Sequence, residues 1–162
     1  MELTIERLTT MNPRLNPYKA APEAMKALVA LEKYVQESGL DHSLIDVVKT
    51  RASQINGCAY CIHVHTSEAR ARGETEERPY LLDAWHELPL YSDRERSALA
   101  WTEGVTLVSE THVPNAVYDQ ARQHFSETEL VNLTLCLAAI NAWNRIAISF
   151  RVVHPTHWKG AA

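Results

Sequence analysis

Cys58, Cys61 and His65 stand three and four residues apart, the separations that fall on one face of a helix. Two thiols at such spacing can oxidise to a disulfide without large backbone movement. Placed at a helix start, they would also feel unsatisfied N–H groups and a positive partial charge, which favour thiolate over thiol. An imidazole one turn later can take and return a proton near neutral pH, directly or through one water. Asp46, twelve residues before Cys58, could orient that imidazole if the intervening turn folds two helices into an antiparallel hairpin. The expected chemistry is dithiol redox, with Cys58, Cys61, His65 and Asp46 as its candidate catalytic residues.

Zinc is the rival for a CxxC pair in a helical protein. A fourth ligand is wanting, because His63 points away from the Cys61/His65 face at 100° per residue, so no metal and no organic cofactor is expected. Attachment of a c-type haem needs His directly after the second Cys, and position 62 is Ile. Cys136 sits in the apolar run Leu133–Ile140 and reads as a small hydrophobe. His42, His86, His112, His124, His154 and His157 have no spacing that builds a site. Tyr60, Trp85, Trp101 and Trp143 read as packing aromatics. Arg145, inside an apolar helix, calls for a buried ion pair or a subunit contact.

The elements that must position these groups are all helical. Apolar residues recur at threes and fours, and the 5 glycines mostly act as stops. Helices are expected over about 22–38, ended by Gly39, and about 42–55, capped by Asp41 and broken at Asn56-Gly57. A third spans Cys58 to Arg72, both cysteines in its first turn, with Glu68, Arg70 and Arg72 as a wet outer side. A fourth follows Arg78-Pro79 to about Glu87. Ser92 with Glu95 makes a capping box for a fifth, running to about Glu110. Pro114 starts a sixth, through His124, and Ser126 with Glu129 caps the last and most apolar, Leu130 to about Val152. That helix should be central in the bundle or buried at a subunit contact. The expectation is an all-α bundle of about seven helices in a single domain, residues 1–162, with a redox core at about 42–72.

Composition narrows the function classes. The 162 residues carry 16 Lys+Arg against 20 Asp+Glu and are 46% hydrophobic, enough for a sizeable core. No basic stripe favours nucleic acid. No stretch is expected to have the length and apolarity of a membrane span, and Met1–Thr4 opens no signal peptide. A cytoplasmic protein is the expectation.

The stretch Arg51-Ala52-Ser53-Gln54-Ile55-Asn56-Gly57-Cys58-Ala59-Tyr60-Cys61-Ile62-His63-Val64-His65-Thr66 resembles the core of the alkylhydroperoxidase D-like group of the carboxymuconolactone decarboxylase family. The likeness extends to Glu87, to Ser92-Asp93-Arg94-Glu95-Arg96 and to Ala139-Ile140-Asn141-Ala142-Trp143-Asn144-Arg145. That group's motif is an acidic residue, eleven positions, CxxC, three positions and His. Asp46, Cys58, Cys61 and His65 fill it, with Asp where Glu is usual and Tyr60 where peroxidase members carry a second His. The resemblance implies a thiol-dependent peroxidase in which Cys61 attacks the peroxide and Cys58 resolves the sulfenic acid to a disulfide. It further implies a hydroperoxide substrate, an external dithiol or protein reductant, and a trimeric or hexameric homo-oligomer. A thiol-disulfide oxidoreductase or sensor without peroxidase turnover, or a decarboxylase-type member, are the alternatives.

Overall fold

A computed structural model describes residues 12–152. They form α1 (Pro17–Ala20), α2 (Pro22–Gln36), α3 (His42–Asn56), α4 (Ala59–Ala71), α5 (Glu77–Leu81), a 3₁₀ segment (Leu82–Glu87), α6 (Asp93–Thr106), α7 (Val108–Thr111), α8 (Asn115–His124) and α9 (Glu127–Phe150). His154 and His157 lie outside the described residues.

Caps written in the sequence set most boundaries. Asp41 accepts from the Ser43 N–H at 3.0 Å to open α3. Both capping boxes form, Ser92 with Glu95 at α6 and Ser126 with Glu129 at α9. Gly57, at φ +69°, closes α3 in the left-handed conformation. That turn sends α4 back against α3, the hairpin on which the site depends.

Two expected helices are broken. The fifth ends at Thr106, not Glu110, because Thr111 Oγ1 donates to the Gly104 carbonyl at 2.7 Å and holds the chain in a turn. The fourth is α-helical only to Leu81. Beyond it, Arg96 of α6 donates to the carbonyls of Trp85, His86 and Leu88, which satisfies in 3₁₀ form what an α-helix would satisfy itself.

Helix α9 is central, packing against α2, α3, α4, α6 and α8. Its Leu133, Cys136, Leu137 and Ile140 are fully buried in the main core beside Ile45, Val48 and Ala52 of α3. Contrary to the sequence expectation, one segment among the described residues does reach membrane-spanning length and apolarity: the 24-residue α9 contains an 18-residue stretch with a mean hydropathy of 1.3. Of the two expectations for Arg145, the buried ion pair is corrected: it is exposed, and its guanidinium returns to Asn141 of the same helix at 2.9 and 3.0 Å.

Candidate redox site

The site begins where α3 turns into α4. Cys58 is the N-cap of α4, one position before the first turn, and its Sγ accepts from the Cys61 N–H at 3.4 Å. Cys61 therefore lies at the third helical position, with the two Sγ atoms 2.7 Å apart. Both are free thiols. A proton shared over that distance makes the pair easy to ionise once and hard to ionise twice. The Cys61 sulfur, then the backbone N–H of Cys61, the Asn144 amide and the Tyr60 N–H hold Cys58 down at about 7 against burial. Cys61 is pushed up, first by giving its proton to Cys58 and then by burial and the neighbouring negative charge.

Helix α9 closes the site with Asn144, fully buried, whose Oδ1 accepts from Asn56 Nδ2 at 2.8 Å and whose Nδ2 donates to Ser53 Oγ at 3.1 Å. Its amide also lowers the proton affinity of both sulfurs. Nothing in its residue type marked it beforehand. A polar residue in the middle of the most apolar helix was the available signal.

A cavity of about 510 Å³ opens on the other side of Cys61. Cys61 lines it and Cys58 does not. Glu32, Gln36, His65, Glu68 and Arg72 line it with polar groups, and Tyr18, Tyr60, Ile140, Trp143 and Ile146 with largely apolar surface. Trp143 and Tyr60 pack against the main core, as expected, and also line the cavity. Burial pushes the Tyr60 phenol up.

His65 Nδ1 meets Glu68 Oε2 at 3.2 Å, a contact that holds the Glu68 carboxyl below its usual range despite burial. Asp46 is buried and its carboxylate accepts from Arg72. Burial nonetheless pushes the Asp46 carboxyl up, with Arg72 opposing. The nearest nitrogen and oxygen atoms of Asp46, His65 and Glu68 all lie within 4.8 Å of one another, so the hairpin brings Asp46 to the imidazole. Glu68, Arg70 and Arg72 are exposed, as the sequence suggested, and Glu68 and Arg72 also line the cavity beside His65. That cluster includes neither sulfur, and Arg72 and His65 already meet its two carboxylates, so no metal ligand is assigned to it.

Comparison with known proteins bears on the family and the fold. The profile of the carboxymuconolactone decarboxylase family matches residues 22–104, from α2 into α6. The uncharacterized protein YdfG of Bacillus subtilis is 44% identical over 139 residues, 86% of this chain and 95% of its own. A crystal structure of a protein of unknown function from Agrobacterium tumefaciens, ATU0492, suggested to be the antioxidant defence protein AhpD, superposes with a TM-score of 0.87 at 47% identity, covering 90% of this chain and 99% of that one. An uncharacterized peroxidase-related protein from Silicibacter sp. TM1040 shares the fold, with a TM-score of 0.76 at 22% identity over 88% of this chain and 76% of its own. The chain is an all-α, AhpD-like member of the carboxymuconolactone decarboxylase family.

Proposed function

We propose that the protein is a thiol-dependent peroxidase that reduces an organic hydroperoxide with its Cys58/Cys61 pair. The observation that carries this is the placement of two sulfurs 2.7 Å apart with only Cys61 on the wall of a cavity that His65 also lines. Ionisation is easier at Cys58, whereas access is at Cys61. Moving the shared proton from Cys61 to Cys58 presents the thiolate to the substrate.

Cys61 then attacks the terminal oxygen of the hydroperoxide: an S–O bond forms, the O–O bond breaks, and Cys61 becomes a sulfenic acid. The departing alkoxide takes a proton from His65, which Glu68 and Asp46 stabilise while it is charged. Cys58 next attacks Cys61, forming the disulfide and releasing hydroxide, which leaves as water with the second thiol proton. Two thiols and one hydroperoxide give one disulfide, one alcohol and one water. An external dithiol reaching Cys61 through the cavity restores the pair by exchange.

A reducing, cytoplasmic setting and assembly of copies into a trimer or hexamer belong to the same proposal. Val131 and Ile148, exposed on α9, support the assembly. Hydroperoxide consumption with a dithiol donor tests the activity: Cys61→Ser should lose at least ~100-fold, and equal rates for it and wild type would reject the assignment.

A further inference from the structure

Lys49 is buried to 1% and heads the fully buried side chains by volume among the described residues. Its ammonium crosses from α3 to Glu32 Oε1 on α2, while Glu32 Oε2 is buried without a hydrogen-bond donor. An apolar pair of similar volume would fill the same space at least as well. Packing alone therefore gives no reason for two charges here. Glu32 also lines the cavity with His65 and Cys61. Burial would raise its carboxyl, but Lys49 holds it below its usual range and the charge of His65 adds to that. Lys49 in turn acts on Glu68.

Charged groups reach the imidazole from three helices. Glu32 comes from α2, Asp46 and Lys49 from α3, Glu68 and Arg72 from α4, while the α9 wall offers Ile140, Trp143 and Ile146 and α1 offers Tyr18. Three carboxylates face two permanent cations.

We infer that Glu32, clamped by Lys49, is a further positioning residue of the thiol site: from the α2 wall of the cavity it sets how firmly His65 holds the proton passing between thiol and leaving group. The inference rests on His65 being the proton carrier proposed above. Lys49 keeps Glu32 ionised and limits its pull, so the pair acts as a fixed dipole on the relay.

The test is an NMR titration of the His65 imidazole in the full reduced chain, its signal identified by loss in His65→Gln. Glu32→Gln removes a negative charge, so the His65 midpoint should fall by about 0.5–1 pH unit. Lys49→Met takes away the cation that keeps the buried Glu32 ionised, so the carboxyl takes up a proton and the midpoint should fall as well. Loss of the Glu32 charge by either route is the signature of charge coupling. Folded variants whose midpoints stay within about 0.2 unit of wild type, or rise, overturn the inference. Should either single variant fail to fold, Glu32→Leu/Lys49→Met leaves no buried charge unpaired. A lowered midpoint is expected there, because the carboxylate is the member on the cavity wall, and a wild-type midpoint overturns the inference. No peroxide enters this titration, so a wild-type protein that consumes no hydroperoxide would reject the peroxidase reading while leaving the coupling separately decided.

Discussion

The Cys58 and Cys61 sulfurs lie 2.7 Å apart, so the ionisation of one governs the other. Donation from Cys61, backbone N–H groups and Asn144 brings Cys58 down from 9.0 to about 7. The sign is that of an acid made stronger by folding, so the thiolate gains through pH 7 in the folded chain and only near 9 once unfolded. Alkylation of the reduced protein by iodoacetamide should follow a midpoint near 7, and a midpoint near 9 would contradict this coupling. The three residues proposed to carry the chemistry were legible because their spacing is helical and their side chains are reactive. Glu32 and Lys49 were not: on paper they are ordinary charges on amphipathic helices, and only the packing of α2 and α3 against α9 puts one of them out of water. Arg72 read as part of a wet outer side, and its guanidinium also returns to Asp46 on the preceding helix.

At the scale of elements, the α3–α4 hairpin is what converts spacing into a site. Gly57 holds φ +69°, and a Cβ at that position would meet nothing within 4 Å, so a substitution there is strained by backbone conformation and not by crowding. Gly57→Ala should cost about 1 kcal/mol in chemical denaturation and slow alkylation of Cys61, since the cap it aligns is Cys58. Asn144 fastens the hairpin to α9 through Asn56, Ser53 and both sulfurs. Asn144→Ala leaves several buried polar groups short of a partner and should cost about 2–3 kcal/mol, with the alkylation midpoint rising. Boundaries set by caps were readable, as at Ser92 and Ser126. Those set by distant groups were not. The break after Thr106 depends on Thr111 reaching Gly104, and the 3₁₀ form of Leu82–Glu87 on Arg96 arriving from α6.

Across the whole molecule, ion pairs tie α6 to the segment before it, to α3 and to α9. Arg78 joins Glu74 and Glu95, Arg51 joins Glu103, and Arg94 joins Glu129. The carboxyls of Glu95, Glu103 and Glu129 are all held below the ordinary 4.5. Their stabilisation is complete above about pH 4.5 and is lost as pH falls through the depressed values in the folded chain. Asp46, pushed above its ordinary 3.8, works with the opposite sign. Thermal unfolding should therefore come at steadily lower temperature below about pH 4.5, and a Tm that is flat down to about pH 3 would contradict these pairs. A helical bundle centred on the last helix was readable from its apolar length, but the same length satisfies a membrane-span criterion, and only the covering by five other helices places it as the core. The central claim, that the two sulfurs and the cavity act together on a peroxide, is tested most directly by a single turnover. Reduced protein mixed with one equivalent of an organic hydroperoxide and digested should yield one Cys58–Cys61 disulfide per alcohol formed, with Cys136 still free, and Cys58→Ser should stop at a sulfenic acid on Cys61. Peroxide left unconsumed, or consumed without that disulfide, would contradict it.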